Sequence, residues 1–292
     1  MKSIFKFGVL AVAVALFTGC GGGGSGGGSS SNAKLAAANY DNAQKVQEAI
    51  FSNAVSSYTY KARVSSNAKD TLKPYVLDLA KSFIKLNAED STLKKRVISD
   101  ACMSGGLDVD VISESSSSKT YLYKYNNCND GVKVVNGEVE LKLSAKHGSR
   151  YYVQSIIFKK NYRVNYSNGS KLSIANGSRI DITITSYKSS SNYTFVLDTT
   201  MKITQNGYSY GYEGMQWNYI VSGASTYWFQ TTGAIYINNY KDYVLYDNSY
   251  DMLNTPFKVD SNGYPQRGEA RYKMDGAVLR IIAENGAIVL DL

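Results

Sequence analysis

Asn176-Gly177-Ser178-Arg179-Ile180-Asp181-Ile182-Thr183-Ile184 holds the grammar of most of this chain in nine residues. Asn-Gly adopts positive φ at little cost and so makes a tight hairpin turn. Behind it, three isoleucines alternate with Asp181 and Thr183, the period-two pattern of a strand with one face buried and one wet. The same pattern extends both ways. Leu107-Asp108-Val109-Asp110-Val111 and Val139-Glu140-Leu141-Lys142-Leu143 alternate as strictly. Further strands are predicted at Tyr121–Tyr125, Tyr151–Phe158, Tyr193–Leu197, Met201–Gln205 and Trp217–Ser222. Others follow at Tyr227–Gln230, Ile235–Asn238, Tyr243–Tyr246, Glu269–Met274, Val278–Ala283 and Ala287–Leu290. Turn signals separate them at Asn168-Gly169, Asn206-Gly207, Asn262-Gly263, Asp275-Gly276 and Asn285-Gly286. Strands joined this way, with no helical spacers, give an antiparallel meander. Glycines open many of them at irregular intervals, which excludes a solenoid or propeller repeat.

Upstream of residue 100 the period changes. Ala43, Val46, Ala49, Ile50, Ala54 and Val55 recur at spacings of three and four, one apolar stripe on a helix within Ala33–Tyr58. Asn32 is its expected N-cap. A second stripe runs through Leu72, Val76, Leu79, Ala80, Phe83 and Ile84. Asp70 would cap it, with Pro74 tolerated in the first turn. The connection Tyr60–Ser66 reads as extended. Two amphipathic helices must bury their stripes on something, and the sheet that follows is the available surface. The expected fold class is α+β and mostly β, with an N-terminal helical pair packed on a large curved antiparallel sheet, a half-barrel or open barrel. The expected organisation is 1–19 leader, 20–31 tether, 32–99 helical region and 100–292 sheet region, the last two forming one domain.

Tyrosine is abundant, 25 residues against nine Phe and two Trp. With Ser, Asn, Thr and Gly it dominates the second half, as in antiparallel sheet where Tyr offers area to neighbours and a hydroxyl to water. Tyr208, Tyr210 and Tyr212 fall on one strand face, with Trp217, Tyr219 and Trp228 close behind. Such rings either stack on a ligand or pack across strands.

The N-terminus concerns placement. Met1-Lys2-Ser3-Ile4-Phe5-Lys6 is a short basic region, and Phe7–Phe17 is an apolar run of 11 residues. That is about half the ~20 residues of a membrane-spanning helix, and it suits a secretory signal. The run ends in Phe17-Thr18-Gly19-Cys20. This resembles the lipobox of bacterial lipoproteins, although Phe17 stands where leucine is usual. The resemblance implies cleavage before Cys20 and several acyl chains on that cysteine. Gly21 in place of Asp after it implies the outer membrane. Gly21–Ser31 is a Gly/Ser coil with an r.m.s. span of roughly 18 Å, enough for a flexible tether.

If Cys20 carries lipid, Cys102 and Cys128 remain as an even pair in a compartment where disulfides persist. They are either bridged or two free buried thiols. Cys102-Met103-Ser104-Gly105-Gly106, Tyr125-Asn126-Asn127-Cys128 and Asn136-Gly137 are similar to a layout in exported β-rich proteins of proteobacteria. That resemblance implies a disulfide clasping the first hairpin of the sheet. It brings no activity.

Chemistry is harder to find. The one histidine, His147, lies in a turn-like stretch, and no Gly-x-Ser-x-Gly elbow or HExxH motif accompanies it. No phosphate loop opens a helix, and no cofactor or metal motif occurs. Asp260-Ser261-Asn262-Gly263 begins like a calcium loop, but Arg271 stands where its bidentate Glu is required. The pairs Asp108/Asp110 and Glu138/Glu140 read as wet strand faces. The formal net charge of +8, or +6 without Lys2 and Lys6, is scattered rather than gathered on one face, which excludes a nucleic-acid partner.

The expected protein is therefore non-enzymatic, anchored to a membrane through its N-terminal lipid. The favoured ligand is apolar or lipid, held in the curved sheet. In a second reading, Tyr208, Tyr210, Tyr212, Trp217, Tyr219 and Trp228 bind a glycan or a protein partner. In a third, Asp or Glu pairs converge about 5–9 Å apart in a cleft and hydrolyse a glycoside.

Overall fold

The computed structural model describes residues 32–52, 73–74, 102–145, 151–189, 192–223, 225–250, 255–259, 265–284 and 287–292. Their elements begin with β1 (Lys34–Leu35), α1 (Tyr40–Ile50), β2 (Phe51–Ser52) and β3 (Lys73–Pro74). A meander follows of β4 (Ser104–Glu114), β5 (Ser118–Asn129), β6 (Lys133–Ala145) and β7 (Tyr151–Tyr166). Then come β8 (Lys171–Ile174), β9 (Arg179–Ser189), β10 (Asn192–Gln205), β11 (Tyr208–Ser222) and β12 (Ser225–Ile237). The chain closes with β13 (Asp242–Tyr246), β14 (Phe257–Val259), β15 (Pro265–Met274), β16 (Ala277–Glu284) and β17 (Ala287–Asp291).

Fifteen strands share one sheet, and β2 pairs with β3 apart from it. Within the large sheet the pairings are antiparallel except where β1 runs parallel to β13. Twice, two strands share the gap between two others. β8 and β9 both pair with β7 and with β10, at different ends. β13 and β14 do the same between β12 and β15. The pairing path starts at β4 and does not return to it, so the sheet is not a closed barrel.

One face of the sheet is buried from β5 to β17. Val139, Leu141, Ile156, Phe158, Leu197, Trp217, Trp228, Phe257, Tyr272 and Ile281 all join a single core. α1 touches both β12 and β17. Four strand steps separate those two along the sheet, about 19 Å if it were flat. The helix, 11 residues and so about 16 Å long, bridges that span on the buried face of the sheet. The buried stripe of α1 is Ala43, Val46, Ala49 and Ile50, as the spacing predicts.

The ends of that helix depart from the sequence reading. Lys34–Leu35 are extended and paired, so the helix begins at Tyr40 rather than after Asn32. The cap is Asn39, whose Oδ1 accepts the Asn42 N–H at 2.9 Å, satisfying one of the first-turn donors. Phe51–Ser52 leave the helix, ahead of Ala54 and Val55. The second expected helix lies outside the described residues, apart from Lys73–Pro74. Those two form a strand where the first helical turn was expected.

Several strands are far longer than the sequence reading gave, up to 16 residues in β7. Tyr193–Leu197 and Met201–Gln205 are one strand, β10, and Tyr208–Tyr212 and Trp217–Ser222 are one strand, β11. A bulge lies in β11, where Glu213 and Gly214 face the single Thr200 of β10 and the buried positions shift from Tyr210 and Tyr212 to Met215 and Trp217. That extra residue makes β11 read as two short strands, whereas β10 keeps its alternation through buried Leu197, Thr199 and Met201 and is split only by the polar run Asp198-Thr199-Thr200.

Candidate functional site

The aromatic row comes first. Tyr208 is exposed, at 61 %, but Tyr210 and Tyr212 are buried. The Tyr210 hydroxyl donates to Glu48 at 2.8 Å and the Tyr212 hydroxyl to the Ala49 carbonyl at 2.5 Å, so both pin α1 to β11. Burial, with Glu48 beside Tyr210, pushes both phenols well above their ordinary range. Trp217, Tyr219 and Trp228 are buried as well. Trp217 meets Trp228 edge-on at 5.2 Å, Trp228 stacks on Phe257 at 4.4 Å, and Tyr219 stacks on Phe195 at 4.8 Å. Five of the six candidate rings are thus core, positioned by cross-strand packing, and only Tyr208 faces water. The same rings and α1 fill the concave side over β11–β14, where a lipid was expected.

Cys102 and Cys128 form a disulfide between the residues leading into β4 and the end of β5. Cys20, His147 and Asp260–Gly263 lie outside the described residues. Among the described residues, no group of His, Cys, Asp and Glu is placed to hold a metal ion, and no helix is long and apolar enough to cross a membrane.

The carboxylate pairs belong to a charge ladder on the outer face. In register across four strands stand Asp108 on β4, Lys124 on β5, Glu138 on β6 and Lys160 on β7. Lys160 pairs with Glu138 at 2.8 Å, and Lys124 with Asp110 at 2.6 Å. The Asp110 contact raises the Lys124 ammonium above its usual range. Lys159 adds a pair with Glu140 at 3.2 Å. Opposite charges on neighbouring strands satisfy one another here.

Beside the ladder lies a polar depression of about 540 Å³, within the range of small-molecule sites. Its shape comes from two irregularities. The β5–β6 register shifts between Tyr125 and Cys128, and the β6–β7 register shifts between Asn136 and Glu138. Gly137 sits at the second with φ of +121°. A Cβ there would fall 2.7 Å from the Asn161 carbonyl oxygen and the Tyr162 Cα, so only glycine allows β6 and β7 to approach this closely.

Asparagine dominates the lining, with Asn126, Asn127, Asn136, Asn161 and Asn165 all contributing. The orientation of two amides is fixed by what they accept. Asn136 Oδ1 takes the Asn127 N–H at 2.9 Å, and Asn161 Oδ1 takes the Asn176 N–H at 3.1 Å. A backbone N–H can be met only by the amide oxygen, so each NH₂ is left as a donor. Lys124, Lys160 and Arg163 add cationic donors, and Glu138 is the one carboxylate on the wall. The depression is thus rich in donors, walled by amides and wet.

Sequence reasoning missed this site. The tokens Tyr125-Asn126-Asn127-Cys128 and Asn136-Gly137 were visible, but they read as turn and disulfide signals. Nothing in one dimension aligns them with Asn161, Arg163 and Asn165 on β7.

No family model, curated protein or solved structure matches this chain.

Proposed function

We propose that this is a membrane-tethered, non-enzymatic envelope lipoprotein that binds a glycan at the asparagine-rich depression across β5, β6 and β7. The observation that carries the ligand class is the donor set. Amide NH₂ groups, lysine ammoniums and one carboxylate complement the clustered hydroxyls of a sugar, which both accept and donate. The lipobox resemblance and the Gly21–Ser31 coil support the tether, with Cys20 as the acylated residue and the outer membrane as its place. Lipid binding in the concave sheet is the less supported reading, because buried Trp217, Trp228, Phe257 and Tyr272 occupy that side.

Two measurements test the proposal. Full-length chain in detergent micelles is applied to a panel of bacterial-type oligosaccharides. Saccharide binding that is lost in Asn136→Ala and Asn165→Ala is the expected result. Absence of binding to every saccharide sinks the ligand reading. For the anchor, Cys20→Ala is expected to move the protein from the detergent phase to the aqueous phase, and an unmodified residue 20 by intact mass refutes the tether.

A further inference from the structure

We infer that the saccharide bound in this depression is anionic, with its carboxylate or phosphate seated on Arg163; this rests on the glycan reading above. Every other cation on the wall has an acid. Lys160 has Glu138 and Lys124 has Asp110, both in short ion pairs. Arg163 has no ion pair among the described residues. Cross-strand pairing would place an acid beside it on each neighbour. It faces Asn136 on β6 and Ser173 on β8 instead. Both register partners are thus neutral, and Glu138, the one carboxylate on the wall, is paired with Lys160.

Arg163 is exposed and alternates with buried Tyr162 and Val164, so its backbone is held by the core while its side chain stays on the wet face. A guanidinium presents a planar fork of donors that meets carboxylate or phosphate in two parallel hydrogen bonds. The Asn136 and Asn161 NH₂ groups, oriented as above, lie on the same wall for the ring hydroxyls. Loose attraction to any anion would need only the charge. The amide wall adds a requirement for a hydroxylated body attached to it.

The test compares three probes on the full-length chain in neutral detergent: trigalacturonic acid, its uncharged galactotriose counterpart, and inorganic phosphate. Trigalacturonic acid is expected to bind at least tenfold more tightly than galactotriose, and the preference is expected to shrink as salt rises. Arg163→Gln should abolish that preference while leaving the unfolding midpoint unchanged, since the residue is exposed. Equal binding of the acidic and neutral trisaccharides overturns the anion assignment and leaves the glycan reading standing. Phosphate binding as tight as trigalacturonic acid, and lost in Arg163→Gln, shows a plain anion site and overturns the saccharide part. No binding by any probe or panel sugar removes both.

Discussion

The Tyr212 hydroxyl donates a 2.5 Å hydrogen bond to the carbonyl of Ala49, joining the middle of the sheet to the last turn of its one described helix. Both residues are buried. The Ala49 carbonyl is among the four at a helix C-terminus with no partner inside the helix. Without Tyr212 it would be stranded in the core. Tyr212→Phe keeps the ring and removes only the donor, so it is expected to cost about 1–3 kcal/mol. Chemical denaturation reads this as a lowered midpoint with an unchanged slope. A midpoint equal to that of the parent would mean the carbonyl is served otherwise.

Cys102 and Cys128 are 26 residues apart and tie the entry of β4 to the end of β5. Closing a loop of that length in the unfolded chain is worth on the order of 3 kcal/mol. The double variant Cys102→Ser, Cys128→Ser should unfold several degrees lower in a thermal scan. Adding reductant should lower the parent and leave the variant where it is.

Gly137 permits the close approach of β6 and β7. Gly137→Ala combines a φ that L-residues rarely adopt with a backbone clash at 2.7 Å. The expected loss is about 2–4 kcal/mol. Gly177, also at positive φ but with open space around it, serves as the control. Gly177→Ala should cost only the strain, about 1 kcal/mol. Comparable losses in the two variants would remove the argument from close approach.

Glu269 carries the acid sensitivity of the C-terminal hairpins. Burial pushes its carboxyl up, but hydrogen bonds from Arg280 at 2.8 Å and Arg271 at 2.7 Å outweigh that and hold it below the usual range. A depressed folded value means that the stabilisation is complete above the unfolded value of about 4.3. It fades as pH falls through the lower folded value. Glu269→Gln should therefore be less stable than the parent at pH 7, by about 1–3 kcal/mol. The two should converge at strongly acid pH. A constant gap across the whole pH range would show that the carboxylate charge is not the cause.

How much of this was legible beforehand depends on distance along the chain. Alternation at Ile180–Ile184 and the Asn206-Gly207 turn each report on a few consecutive residues, and β9 and the β10–β11 hairpin stand where they were read. The Ala43–Ile50 stripe gave the buried side of α1 for the same reason. With Cys20 set aside for lipid, Cys102 and Cys128 were the pair the sequence offered, and the structure bridges them. A bulge hid the continuity of β11, because one inserted residue inverts the alternation without ending the strand, and the polar run Asp198-Thr199-Thr200 hid that of β10. The short strands β8 and β14 were missed, since four and three residues carry too little pattern.

What the sequence determined by itself, then, was a period-two chain able to bury one face, with tight turns to fold it back. Only the tertiary structure decided what that face met. Alternation alone puts Tyr210 and Tyr212 opposite Trp217 and Tyr219; the β11 bulge brings them to one side with Trp228, and alternation is silent on whether that side is wet. Packing α1 against that side made it the core. The depression needed tertiary structure for a second reason: β5, β6 and β7 bring Asn126, Asn136 and Arg163 together only through register. Register is set by hydrogen bonds between strands, which no single segment contains.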